Sequence, residues 1–364
     1  MFNKDIKSKW FVILSLMLLL VVVQVIAESD QENLDKEWGK IEQHIQNQFD
    51  TYEKSENEKW ENVKKRVMLK WSEPEVPEVK KYVEYFDDDT ARIKVDYEKG
   101  SVTVQALVSE DSPKAQVEAQ GKIEKVIKRA FEITDSEPPI LSKEDLTPEM
   151  DPQKIAKEVT ATLVIEEGRD GKKRNEFQVS FNLVPDFVRK RASKVYPVVK
   201  FWADKYKLEP ALILAIIRQE SAFNPRARSW IPAYGLMQIV PKYAGREVML
   251  AVTKKEIVPD SDFLFDPERN IMLGTTYLQI LRDQYFANIN DEAKRTFLLV
   301  ASYNWGPTRV QNLIGKGRLP ATSGAEEIYK NLREMTPAET SDYLVKVKQY
   351  REEFKRILDR EGAL

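Results

Sequence analysis

The residues best suited to chemistry lie at Arg218-Gln-Glu220-Ser221, directly after Leu212-Ile-Leu-Ala-Ile-Ile217. That run is apolar on every side of a helix, and a helix greasy all round belongs in a core. Asn224-Pro225 follows, and the residue before a proline avoids helical geometry, so the helix should stop there. Glu220 is therefore expected near the C-terminal end of a buried helix. Burial disfavours its charged form, and the negative end of the helix dipole acts in the same direction. A carboxylic acid still protonated near neutral pH can protonate the leaving oxygen of a glycosidic bond and then take a proton back. Taken alone, the pattern equally fits a capping or salt-bridged glutamate.

Other chemistries lack their residues. There is no cysteine, which excludes disulfides, cysteine nucleophiles and thiolate metal sites. The one histidine, His44, sits in a charged stretch with no Gly-x-Ser-x-Gly elbow to accompany it. Zinc sites need several His or Cys ligands, so neither metal nor cofactor is expected, and hydrolytic or lytic chemistry must rest on carboxylates. The 57 basic residues nearly cancel 59 acidic ones, for a net charge of −2, which argues against a nucleic-acid binder.

The elements that must hold Glu220 change character along the chain. At 364 residues with 42% hydrophobic content, two packed domains are the default. Lys4, Lys7 and Lys9 precede an apolar run from Trp10 to Ala27, the layout of a secretory signal, with Val25 and Ala27 at the spacing signal peptidase prefers. Cleaved (residues 1–27) or retained as a membrane anchor, such a segment exports the remainder of the chain. From Gln31 to Trp71, apolar residues recur at helical steps, ending in Trp60, Val63, Val67 and Trp71, as in a packing stripe. Pro74 and Pro77 mark a loop. Alternation at Arg92–Asp96 and Ser101–Gln105 across Gly100 predicts a hairpin, and Thr160–Ile165 and Glu176–Phe181 across Asp170-Gly171 predict a second. Residues 113–131 read as helix. After Val184-Pro185 strand signals end and helix follows helix. The expected fold class is α+β: an accessory α+β domain over 28–187, then an all-α domain over 188–364.

Downstream of Glu220-Ser221 come Gly235-Leu-Met-Gln238, Ala301-Ser-Tyr-Asn304 and a late Tyr343. Each is weak singly; the ordered set resembles the soluble-lytic-transglycosylase family, which shares a lysozyme-like helical fold with goose-type lysozyme. Phe263-Leu-Phe-Asp266-Pro-Glu-Arg-Asn270 resembles the stretch that introduces that family's next helix. Asp266 is a good N-cap there and Pro267 a good first helical residue. The N-terminal half, at Tyr82-Val-Glu-Tyr and Val95–Val104, resembles the accessory domain of the membrane-bound transglycosylases.

The resemblance implies a peptidoglycan-cleaving lyase acting on glycan strands between N-acetylmuramic acid and N-acetylglucosamine. The muramic acid 6-hydroxyl attacks its own anomeric carbon, so anhydro ends form and one carboxylate suffices. It implies Glu220 as acid then base. Ser221 would hold substrate or orient Glu220, and Gln238 would offer its amide to the sugar. Met237 would line the groove, with Gly235 letting backbone approach the glycan. Tyr303 and Asn304 would shape the cleft, and Tyr343 would bond near Glu220. The signal-like N-terminus places the chain in the periplasm or cell envelope, with membrane association only where that segment is retained uncleaved, and the accessory domain is open to envelope protein partners. The chain departs from the pattern at Pro232 and Trp305, and lacks the cysteine on which a lipid anchor would be built. A water-using lysozyme and a non-catalytic glycan-binding scaffold are the competing readings.

Overall fold

Five strands form one antiparallel sheet in the N-terminal half of the computed structural model: β1 (Lys81–Phe86), β2 (Ala91–Asp96), β3 (Ser101–Ser109), β4 (Thr160–Glu167) and β5 (Lys173–Asn182). The structure describes residues 54–55, 58–59, 61–132, 138–148, 150–229, 232–317, 319, 323–361 and 364. The signal-like segment, His44 and the apolar stripe from Leu34 to Tyr52 lie outside them.

The two predicted hairpins are β2–β3 and β4–β5, joined into one sheet by β3 pairing with β5 in the order β1-β2-β3-β5-β4. Alternation explains the register: Val102, Val104, Ala106 and Val108 face one side, where α1 (Ala115–Ala130) lays Ala119, Ile123, Ile127 and Ala130 against them. Each of these valines and isoleucines contributes about 1.5–3 kcal/mol by leaving water. On the other side Val67 and Trp71 pack with Leu107, so this part of the predicted stripe is indeed a packing face. The Arg92 guanidinium lies 3.8 Å over the Trp71 ring. β1 is an addition to the expectation: it runs antiparallel to β2, with Lys81 opposite Asp96. Its turn to β2 uses three left-handed residues, Asp87, Asp88 and Asp89, a residue type that tolerates this geometry.

After a 3-10 turn at Lys143–Asp145 and the short α2 (Pro152–Lys157), helices take over. They run α3 (Phe187–Tyr206), α4 (Pro210–Ser221), α5 (Arg246–Thr253), α6 (Ser261–Phe265), α7 (Pro267–Ile280), α8 (Glu292–Trp305), α9 (Pro307–Gly315), α10 (Ala325–Met335) and α11 (Ala338–Glu361). Asp266 caps α7 by accepting from the Arg269 amide, and Pro267 is its first residue, as the local chemistry predicts. Residues 211–217 of α4 are all buried, between α3 and α11.

Sheet and helices belong to one compact unit, Trp60–Leu364. A buried ion pair knits them. Arg191 of α3 donates from Nε to Asp145 Oδ1 at 3.0 Å and from Nη2 to Asp145 Oδ2 at 2.5 Å. It also reaches the carbonyls of Ile140 and Phe223 and lies 4.4 Å over the Tyr97 ring. Phe223 stands three residues after Glu220, so the network pins the end of the α4 segment to the sheet.

Candidate active site

Glu220 is the penultimate residue of α4, half-buried, and its Oε1 accepts a 2.7 Å hydrogen bond from the Tyr343 hydroxyl of α11. Tyr343 is 4% exposed. The helix stops earlier than the proline predicted: Ala222 (φ 51°) and Phe223 (φ 61°) both adopt left-handed geometry and reverse the chain before Asn224. Asn224 then ties the turn down, accepting from the Arg226 amide at 3.0 Å and donating to the Val79 carbonyl at 3.1 Å.

Burial pushes the Glu220 carboxyl up to about 7; the Tyr343 bond and the Lys80 ammonium pull it down, while Glu339 pushes it up. Lys80 follows Val79 and pairs with Glu98 at 3.0 Å, so the sheet brings a cation into electrostatic reach of the acid. Removing either stabiliser of the carboxylate must raise the pKa further. Tyr343→Phe and Lys80→Met are each expected to move the Glu220 titration above about 7, read by carboxyl-carbon NMR. An unmoved or lowered midpoint in both variants would refute this electrostatic account.

The loop carrying Gly235-Leu-Met-Gln238 lies beside the acid, and the Asn270 side chain organises it. Asn270 Oδ1 accepts from the Met237 amide at 2.8 Å, and its Nδ2 donates to the Tyr234 and Leu264 carbonyls at 2.8 and 2.7 Å. Gly235 has φ 74°, and a Cβ there would sit 2.4 Å from both Asn270 Nδ2 and the Leu264 carbonyl. Packing against Asn270 and the Leu264 carbonyl therefore already requires a glycine here.

Of three residues expected at the substrate face, two are committed to holding the fold. Ser221 is wholly buried with Oγ 3.0 Å from the Ile217 carbonyl and 2.8 Å from that of Leu236, so it fastens the loop to α4. Met237 is 0% exposed and packs on Gly274, where any Cβ would strike its sulfur, so it supports the groove from beneath rather than lining it. Gln238 spends Nε2 on the Ala227 and Gly235 carbonyls at 3.1 and 3.0 Å, leaving Oε1 without a protein partner among the described residues. The sequence could not show how Met237 and Gln238 turn, because side-chain direction in an irregular loop has no periodicity.

Tyr303 and Asn304, at the end of α8, come to the same place. The Tyr303 hydroxyl donates to the Met237 carbonyl at 2.9 Å, and Asn304 Oδ1 accepts from Thr340 at 2.7 Å, locking α8 to α11 one turn before Tyr343. Burial, then the neighbouring Glu220, holds the Tyr303 and Tyr343 phenols well above their ordinary range, so both remain proton donors. Sequence reasoning missed Asn270, Thr340 and Lys80 as contributors. Asn270 lies in the stretch that resembles the family, while nothing local marks Thr340 or Lys80. Among the described residues no cluster of His, Asp and Glu could hold a metal.

The arrangement is a half-buried carboxylic acid poised near neutrality, with the Tyr343 phenol donating to it and the Tyr303 phenol close by. Similarity to known proteins follows the same division of the chain. Residues 197–322 match the Transglycosylase SLT domain, and residues 53–121 match the N-terminal domain of membrane-bound lytic murein transglycosylase C. The chain is 30% identical over 308 residues to the membrane-bound lytic murein transglycosylase C of Klebsiella pneumoniae, covering 76% of this chain and 82% of that one. It is 31% identical over 310 residues to the protein of that name from Yersinia enterocolitica, covering 76% and 83%. With the one from Serratia proteamaculans it shares 38% over 186 residues, covering 50% and 52%. The 70 kDa soluble lytic transglycosylase of Escherichia coli aligns in structure with a TM-score of 0.37 at 28% identity, over 44% of this chain and 24% of that one.

Proposed function

Because the chain belongs to the membrane-bound lytic murein transglycosylase C family and is a peptidoglycan lytic transglycosylase, we propose that Glu220 is its single catalytic acid and base. The observation that carries this is the 2.7 Å Tyr343–Glu220 bond on a carboxyl held near neutrality. Protonated Glu220 donates to the glycosidic oxygen as the C1–O bond of N-acetylmuramic acid breaks. The 6-hydroxyl of the same sugar then bonds to C1, and its proton passes to the Glu220 carboxylate. The acid is regenerated, no water is consumed and a 1,6-anhydro end forms. The attacking group is intramolecular, which supplies a high effective concentration without a second carboxylate.

Tyr343 positions the carboxyl and limits the rise of its pKa. Tyr303 and Asn304 present the polar wall, and Gln238 Oε1 is the acceptor left for an N–H or O–H donor of the sugar. Ser221 and Met237 hold the loop from behind. The accessory portion, residues 28–187, supports the catalytic portion, residues 188–364, through Arg191, Asn224 and Arg226. Arg226 donates to the Pro138 carbonyl and to the Tyr82 hydroxyl, each at 2.8 Å. The working place is the periplasmic cell envelope, consistent with relatives named membrane-bound. No described helix is long and apolar enough to span a membrane.

Digestion of purified sacculi followed by mass spectrometry tests the reading. Muropeptides one water lighter than hydrolytic products are expected. Products carrying the extra water would make the enzyme a lysozyme, and binding without release would make it a scaffold.

A further inference from the structure

The sheet brings to the acid a cation that the proton transfers leave unused. Lys80 directly precedes β1. Asn224, in the turn after Glu220, fixes its place by donating to the Val79 carbonyl at 3.1 Å, and the Tyr97 amide donates to the Lys80 carbonyl at 2.9 Å. An ammonium has three N–H donors. One of them reaches Glu98 Oε1 at 3.0 Å, and among the described residues nothing takes the others. Glu98, in the β2–β3 turn, is more than half exposed, so water competes for this pair and its hold is weak. The Lys80 bond, then the charges of Lys346 and Lys99, keep the Glu98 carboxyl below its usual range against the opposing effect of burial. Lys346 lies on α11 one turn beyond Tyr343, which bonds to Glu220. The turn after Glu220 and the helix of Tyr343 therefore lead to the same cationic corner, where several lysines share one exposed carboxylate.

We propose that Lys80, assisted by Lys346, binds a carboxylate of the stem peptide carried by the N-acetylmuramic acid at the scissile bond, displacing Glu98. The peptide hangs from the lactyl group on O3 of the same ring whose C1 is attacked, so it starts within one sugar ring of the acid. It carries free carboxylates as it leaves the cleft, and an ammonium with unspent donors is the group that recognises them. The sheet thereby contributes to substrate choice as well as to support. The inference rests on the transglycosylase reading for its ligand.

The test uses the full chain carrying Glu220→Gln, in which no effect of Lys80 on the acid's titration can reach the result. It is titrated calorimetrically with soluble glycan strands bearing stem peptides, and with the same strands after an amidase has removed them. Added Lys80→Met is expected to weaken binding of the peptide-bearing strands by about tenfold, the scale of one hydrogen bond to a charged group, and to leave the denuded strands unaffected. Lys80→Arg should retain the preference. Glu98→Gln should act in the opposite direction, tightening the peptide-bearing strands by about threefold because the resident carboxylate no longer competes. Thermal unfolding of each variant confirms that it is folded, and Glu98→Gln tests the site even where Lys80→Met is not. An equal loss on both kinds of strand, no loss on either, or weaker binding by Glu98→Gln overturns the proposal. Release of anhydro products by the wild type reports separately on the transglycosylase reading.

Discussion

Glu220→Gln should reduce release of anhydromuropeptides from sacculi by about 10³-fold or more, the scale on which positioned acid–base groups act. The amide keeps the shape and can still accept from Tyr343, but it can neither donate a proton to the glycosidic oxygen nor retrieve one. Residual activity above about a tenth of wild type would remove Glu220 from the acid–base role. The same substitution has a stability signature. In the native state burial raises this carboxyl from 4.5 to about 7, so between those pH values the folded protein retains a proton that the unfolded chain releases. The contribution of the protonated carboxyl to wild-type stability is therefore fully present below about pH 4.5 and lost as the pH rises through about 7, whereas the glutamine variant has no such dependence. The variant should gain about 3 kcal/mol on the wild type between pH 4 and pH 8, since each pH unit separating the folded and unfolded pKa is equivalent to about 1.36 kcal/mol. Urea denaturation at the two pH values checks this. Equal stability differences at both would show that burial does not disfavour the ionised carboxyl.

The second large effect lies far from the chemistry. Asp145→Ala is expected to cost about 3–5 kcal/mol, the range for removing one member of a buried ion pair. Asp145 is 0% exposed, and its loss strands the Arg191 guanidinium among the Ile140 and Phe223 carbonyls and the Tyr97 ring. Because Arg191 holds the Phe223 carbonyl, activity should fall along with stability. The double variant Asp145→Ala/Arg191→Met should be more stable than Asp145→Ala alone, since it removes the uncompensated charge. If the single substitution costs less than about 1 kcal/mol, the pair is solvated and does not fasten the two halves together.

What the sequence by itself determined was local. Seven successive apolar residues in α4 specify a buried helix, and Glu220 follows within a turn of its end. Asp266-Pro267 sets the start of α7 because capping acts over three residues. Period-two alternation marks β2, β3, β4 and β5, since each strand's two faces meet different surroundings. The motif residues Glu220, Gln238, Tyr303, Asn304 and Tyr343 were legible as an ordered set, though no spacing says that the Tyr343 hydroxyl lands on Glu220 Oε1. Only the tertiary structure decided that contact, the pairing of β3 with β5, the inward turns of Ser221 and Met237, and the service of Gly235 to Asn270. It alone placed Lys80 near the acid. These depend on groups that are distant in the chain and become neighbours only when the helices pack. Local propensity acts within a few residues, whereas the pKa of Glu220 is set by whatever water the whole fold excludes.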